Sequence, residues 1–172
     1  MPTPCYITIE GETQGLITAG SNTPESMGNT FKEEHADEMT VQAFDHIVTV
    51  PTDPQSGQPS GQRVHKPFKF TVVLNKAVPL LYNALSSGEM LPRVELKWYH
   101  TRVDGKQENF FKTILTDATI VDIDCKMPHC QDDSNRQFTQ LVNVSLAYRK
   151  IEWTHEIAGT SGADDWRAPL EA

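Results

Sequence analysis

Apolar residues recur at every second position through most of the chain, the period of a half-buried β-strand. "CYITIEG" sets Cys5, Ile7 and Ile9 against Tyr6 and Thr8 and stops at Gly11. A Gly-bounded turn follows, with a short strand around Leu16 and Ile17. Polar text with Gly, Asn and Pro then runs from Ser21 to Asp37 and reads as a loop. "EMTVQAFDHIVTV" resumes strand, with Met39, Val41 and Ala43 on one face and Phe44, Val48 and Val50 on the other. That change of parity predicts a bulge or a strongly twisted strand. "RVHKPFKFTVVL" is a further strand, with Phe68, Phe70, Val72 and Leu74 on one face. "RVELKWYH" alternates Val94, Leu96 and Trp98 against Glu95, Lys97 and Tyr99, and Asp104-Gly105 signals a hairpin. "QENFFKTIL" and "ATIVDIDC" read as two strands about a turn at Thr116-Asp117. The last pattern, "RQFTQLVNVSLAYRKIEWTHE", is long for one strand. Its face of Val142, Val144, Leu146 and Tyr148 gives way to Ile151 and Trp153. The switch at Arg149-Lys150 predicts a bulge, or a passage from the core to a second buried surface.

The period changes once. "KFTVVLNKAVPLLYNALSSGE", residues 69–89, runs from strand into helix, with Val78, Leu81, Tyr82 and Leu85 at the i, i+3, i+4, i+7 spacing. Pro79 fits only the first turn and Gly88 supplies a left-handed cap, so the helix has two to three turns. Its stripe reads as core. By contrast "PTDPQSGQPSGQR", residues 51–63, holds three prolines, two glycines and no large apolar side chain, and reads as a long exposed loop. About eight strands at hairpin spacing with one helix predict a mainly β fold: an antiparallel β-barrel of two packed sheets with one flanking α-helix. The 172 residues fit one domain spanning 1–172.

Composition narrows the chemistry. With 38% hydrophobic and 22% charged residues the chain is globular, and a net charge of −8 argues against a nucleic-acid partner. No segment approaches the roughly 18 apolar residues of a membrane helix, and "MPTPCYITIEGE" lacks the features of a cleaved signal. The expectation is no membrane insertion and a start in the cytoplasm. Cys5, Cys125 and Cys130 are too few for a disulfide framework. "CKMPHC" lacks the second half-site of a tetrahedral zinc centre and reads as a turn at Met127-Pro128. Asp122 and Asp124 alternate with Val121 and Ile123 as the wet side of a strand. Asp132-Asp133 and Asp164-Asp165 read as solvated turns, and the histidines at 35, 46, 65, 100, 129 and 155 are scattered. The "NVS" sequon at 143–145 lies inside a strand. No nucleophile elbow, phosphate loop or His-Glu-x-x-His occurs. The expectation is no enzyme, with no catalytic, cofactor-binding or metal-ligating residues and no cofactor.

Strands with more than one apolar face and a long polar loop point to assembly, since a heterologous contact that closes on itself makes a ring. Here the residues resemble a known family. "YITIEG", "GLITAGS", "SGQRVHKPFKFTVVLNKAVPLLYNALSSGE", "VELKWYH", "GKQENFF", "IVDIDCKMPH" and "SLAYRKIEWTH" with "GTSGADDW" are similar, in order and over almost the whole chain, to the haemolysin-coregulated protein (Hcp) family. The resemblance implies a β-barrel like that of phage tail-tube proteins, assembled as a homohexameric ring. Stacked rings form the inner tube of the type VI secretion system. The implied partners are the sheath, spike and baseplate proteins and small effectors chaperoned in the lumen. The implied destination is outside the cell, reached without a cleaved signal peptide. Some members carry a C-terminal toxin domain; a sequence stopping at Ala172 leads us to expect the version without one. The loop 51–63 then corresponds to the extension that reaches an adjacent ring or subunit, with Asp53, Gln55, Gln58 and Gln62 making polar stacking contacts. Ile151 and Trp153 are expected in a subunit seam, and Trp166 packed across one. The alternatives are a monomeric β-barrel binding module and a small secreted hydrolase.

Overall fold

The computed structural model describes residues 3–28 and 33–165, so the expectation for Trp166 lies outside the described residues. In chain order the strands are β1 (Cys5–Gly11), β2 (Gly15–Leu16), β3 (Met39–Asp45), β4 (Val48–Thr49), β5 (Val64–His65) and β6 (Phe68–Val73). They continue with β7 (Leu91–Thr101), β8 (Gln107–Lys126), β9 (Leu141–Ala147), β10 (Lys150–His155) and β11 (Thr160–Asp165). The helices are α1 (Pro24–Met27) and α2 (Val78–Ser87).

The alternating strands build two sheets joined through β8. Its first half pairs with β7 on one edge and β10 on the other; its second half pairs with β9. From β9 the ladder passes to β6, then β3, then β1, and returns through β7 to β8. Every step is antiparallel, and the six strands form a closed cycle of pairings. The contact between β1 and β3 is its weakest seam, with Tyr6 opposite Thr40 and Ile7 opposite Met39. The β10–β11 hairpin extends the sheet beyond this cycle along β8. Ile7, Ile9, Phe68, Phe70, Leu96, Val142, Val144 and Leu146 point inward and are fully or almost fully buried. Burial of this kind contributes about 1.5–3 kcal/mol per large side chain and dominates the stability.

Several expectations need correction. There is no turn at Thr116-Asp117: β8 runs straight through it. Asp117 takes φ 54, in the left-handed region, at the point where the ladder skips from Arg93–Thr116 to Leu91–Ala118. The intervening residue of β7 is Pro92, which has no N–H to donate. The strand bends there instead of ending, and a second irregularity after Ile120 leaves Val121 half exposed. The long last pattern is two strands, separated at Tyr148 and Arg149 just where its parity switches. Pro67 similarly divides the predicted 63–74 strand into β5 and β6, and β3 ends at Asp45, short of β4. The irregularity expected in β3 is present between Val41 and Ala43. The 21–37 loop contains one turn of helix, α1, and a short 3-10 turn at Glu33–His35.

α2 matches its sequence signals. Asn75 bridges into it, its Oδ1 accepting from Ala77 N at 2.8 Å while its Nδ2 donates to the Val73 carbonyl at 2.7 Å. Pro79 occupies the first turn, and Gly88 closes the helix at φ 69. Val78, Leu81 and Ala84 are buried, whereas Tyr82 is 39% exposed, so the stripe is rotated away from Tyr82. The helix packs against β8.

Candidate functional site

The loop 51–63 is the tip of an ordered arm. β4 and β5 pair at its root, with Val48 opposite His65 and Thr49 opposite Val64. Further out, Ser60 N donates to the Pro51 carbonyl at 2.7 Å, and Thr52 bridges Pro59. Asp53 builds the tip. Its N donates to the Gln58 carbonyl at 2.8 Å, and its carboxylate accepts from Gln55 N at 2.9 Å and Ser56 Oγ at 3.1 Å. The Gln55 amide hydrogen bond, more than any other influence, holds the Asp53 carboxyl below its ordinary range. Asp53 therefore shapes the turn, and residues 51–62, with Gln55, Gln58 and Gln62 among them, are all exposed. The root was missed by the sequence reading: Ile47, Val48, Val50 and Val64 are each at least 40% exposed and give the arm an apolar base.

Next to that base the inner face of the sheet outruns the core. Along β10, Ile151 is fully buried among this chain's own core residues, so it has no surface to offer a neighbour. Two residues on, Trp153 is only half buried. Opposite it in the register stands Thr113, and Phe111 faces Trp98 on β7. Trp98 packs edge-on against both Phe111 (5.3 Å between centroids) and Phe44 (5.4 Å). Phe44, His46, Trp98, Phe110, Phe111, Thr113 and Trp153 line an open cleft of about 400 Å³. The other face of the same strands is ionic: Lys97 lies 3.6 Å from Glu38 and Lys112 lies 3.4 Å from Glu95 and 3.3 Å from Glu156.

Behind the cleft the structure assembles residues that looked scattered. Tyr148 Oη lies 2.7 Å from His46 Nε2 and 2.6 Å from His65 Nδ1. His65 Nε2 lies 2.7 Å from Asp164 Oδ2. Arg63 Nε and Nη2 donate to the two Asp164 oxygens at 2.8 Å each, and Nη2 also to the Asp165 carbonyl at 3.2 Å. Asp164 is thus a paired residue of β11, correcting its reading as a solvated turn. The Arg63 hydrogen bonds, assisted by His65, pull its carboxyl down to about 2. Burial first, and the neighbouring His65 second, depress His46 below its ordinary 6.5. Burial raises the Tyr148 hydroxyl far above 10. No local signal marks these pairs, since their partners lie between 83 and 102 residues apart. Elsewhere Cys125 and Cys130 are exposed, and among the described residues no group of three or more His, Cys, Asp or Glu is placed to hold a metal.

The family model described as "Type VI secretion system effector, Hcp" matches residues 6–155. The chain belongs to the Hcp family. Among its relatives, the "Major exported protein" of Pseudomonas aeruginosa is 56% identical over 170 residues, which is 99% of either chain. A solved structure titled "Crystal structure of Hcp protein" superposes with a TM-score of 0.92 at 57% identity, covering 97% of this chain and 99% of that one. The secreted protein Hcp3 from Pseudomonas aeruginosa superposes with a TM-score of 0.82 at 49% identity, covering 96% and 99%. The Hcp fold, a mainly β architecture of antiparallel sheets with one main helix, is therefore that of this chain. Among the described residues no helix is long and apolar enough to cross a membrane.

Proposed function

We propose that this Hcp-family chain is the ring-forming subunit of a type VI secretion inner tube. Six copies close into a ring, rings stack into a tube, and the lumen carries small effectors. Its partners are then the sheath, spike and baseplate proteins, and it is assembled in the cytoplasm before export without a cleaved signal. The "Major exported protein" relative supports the export step by its name.

The observation that carries the reading is the sheet face that outruns the core. Half-buried Trp98, Phe111 and Trp153 in an open cleft, together with the exposed apolar base of the arm, leave apolar surface that the described residues do not cover. Aromatic anchors at the centre of an uncovered patch are what association buries. A copy of the same chain is the natural cover, because a head-to-tail contact repeated by rotation closes into a ring. The tip of the arm is separate from that seam: it is polar and exposed, which suits a contact between rings.

Native mass spectrometry and negative-stain imaging test this directly. The expected species is a hexamer with an open pore; a monomer at micromolar concentration overturns the reading. Trp153→Ala should raise the ring dissociation constant by ~10-fold or more, the usual scale for a buried aromatic anchor. Rings of unchanged stability would remove Trp153 from the seam. Deleting residues 54–61 should leave hexamers intact and abolish stacked tubes. Tubes that persist would make the arm passive.

A further inference from the structure

We propose that Arg63 is a positioning residue for the arm: by gripping Asp164 on β11 it holds the β4–β5 sheet, and with it the polar tip, at one fixed angle to the barrel. The use of that angle, presenting the tip to the next ring, rests on the stacking reading above. The fixing itself concerns a single chain.

The arm needs such a fastening because its own bonds do not set its direction. β4 and β5 pair with each other as a two-stranded sheet separate from the main one. The backbone bonds from Ser60 to Pro51, Asp53 to Gln58 and Lys66 to Ile47 likewise run from one limb of the arm to the other. They give the arm its shape and leave its angle to the barrel open. At the root, His46 and His65 both reach the Tyr148 hydroxyl. Contacts converging on one oxygen make a pivot, and an angle needs a second point of attachment. Asp164 is that point. His65 Nε2 reaches it at 2.7 Å, and Arg63, two residues farther out along the arm, restrains the angle over a longer lever.

The chemistry of Arg63 suits the task. Its Nε and Nη2 donate to the two Asp164 oxygens at 2.8 Å each, and Nη2 also donates to the Asp165 carbonyl at 3.2 Å. Two parallel bonds between a planar guanidinium and a planar carboxylate set orientation as well as distance. A lysine ammonium satisfies the charge but not the plane. The pair is also shielded, with the Arg63 and Asp164 side chains 13% and 24% exposed, unlike the solvated surface pairs that contribute little.

What Arg63 grips is itself anchored. β11 pairs with β10 along its whole length, and β10 pairs in turn with β8. In that register Asp164 stands opposite fully buried Ile151, and Gly162, two residues back, stands opposite Trp153. The arm therefore takes its angle from the same ladder that carries Trp153. Every copy then presents its tip in the same direction, and no ordering is left to be done when tips meet a partner.

Distances between two spin labels, measured by pulsed electron paramagnetic resonance on the full chain, test the fixing. Labels at Gln58→Cys on the tip and Ser86→Cys on α2 occupy exposed positions. Cys125→Ser and Cys130→Ser remove the exposed native thiols, and dilution with unlabelled chain isolates the distance within one copy. With Arg63 in place the distribution should be narrow. Arg63→Ala and Arg63→Lys should each widen it about twofold or more, since both lose the oriented fork. Millimolar guanidinium should narrow it again in Arg63→Ala. A distribution as narrow as the original in either variant, or a widening that guanidinium leaves uncorrected, overturns the assignment. Should Arg63→Ala fail to fold, Asp164→Asn takes its place: widening supports the clamp, and an unchanged width overturns it. In unlabelled chains Arg63→Ala should leave ring mass and ring stability unchanged and raise the concentration at which rings stack at least about fivefold, the effect of losing preorganisation. Stacking at the original concentration overturns the role in stacking. A wild-type chain that forms no rings fails the ring reading alone, because the label distances still decide the fixing.

Discussion

At the scale of single residues, the tightest constraint is a glycine facing a carboxylate. Glu89, buried at the end of α2, accepts from Thr13 N at 3.2 Å and from Gln14 Nε2 at 3.1 Å, tying the β1–β2 turn to the helix end. A Cβ on Gly11 would collide with Glu89 Oε2 and press on Ile17 at 3.2 Å. Gly11→Ala should therefore destabilise by about 1–3 kcal/mol, the range for displacing a buried hydrogen-bonded group or overpacking a core. Denaturant unfolding measures it. In the double variant Gly11→Ala/Glu89→Ala the loss should be less than the sum of the two, and simple additivity would show that the collision is not the cause. The cysteines divide just as sharply. Cys5 is buried, and desolvation pushes its thiol up to about 12, which removes the reactive thiolate. Cys125 and Cys130 are exposed. Maleimide labelling of the native chain near neutral pH should modify those two and reach Cys5 only after unfolding.

At the scale of elements, β8 explains both what could be read from the sequence and what could not. Alternation identified its two halves but put a reversing turn between them at Thr116-Asp117, where the strand in fact continues. What alternation could not say is that the chain bends there and continues, because a left-handed residue opposite a proline and a reversing turn leave the same local mark. Asp117 tolerates φ 54 through its short polar side chain. Asp117→Val should cost about 1–3 kcal/mol, and Asp117→Asn, although it gives up the charge that pairs with Arg149, should cost well under half as much. A similar loss in both variants, seen in denaturant midpoints, would assign the effect to the ion pair instead. α2 was legible because its signals are local: the apolar spacing from Val78 to Leu85, Pro79 in its first turn and Gly88 after it. The arm root and the histidine network were not. Ile47, Val48, Val50 and Val64 read as ordinary strand residues, and only the fold shows that they stay exposed. His46 and His65 read as scattered histidines and Tyr148 as part of the apolar face of its strand, and they meet only once the fold has brought β5 and the β9–β10 break together.

At the scale of the whole molecule, the closed cycle of strands and the appended hairpin should respond differently to acid. Asp164 has its carboxyl drawn from an ordinary 3.8 to about 2 by Arg63 and then His65. A lowered carboxyl means that the folded chain binds fewer protons than the unfolded one, so this contribution is complete above about 3.8 and is lost as pH falls from there toward about 2. His46, also lowered, adds a loss that begins as pH falls below its ordinary 6.5. Stability should therefore decline in two stages, a first below about pH 6.5 and a second below about pH 4. Denaturant midpoints at fixed protein concentration measure both, and the concentration must be held constant because any assembly stabilises the folded chain by mass action. Asp164→Asn leaves His46 to titrate but removes the carboxylate, so the lower stage should disappear while the upper stage remains. If Asp164→Asn kept the full decline below pH 4, the acid sensitivity would belong to carboxylates elsewhere, such as the Glu95 cluster on the ionic face of the sheet, and the Arg63–Asp164 clamp would not be what fastens the hairpin to the barrel.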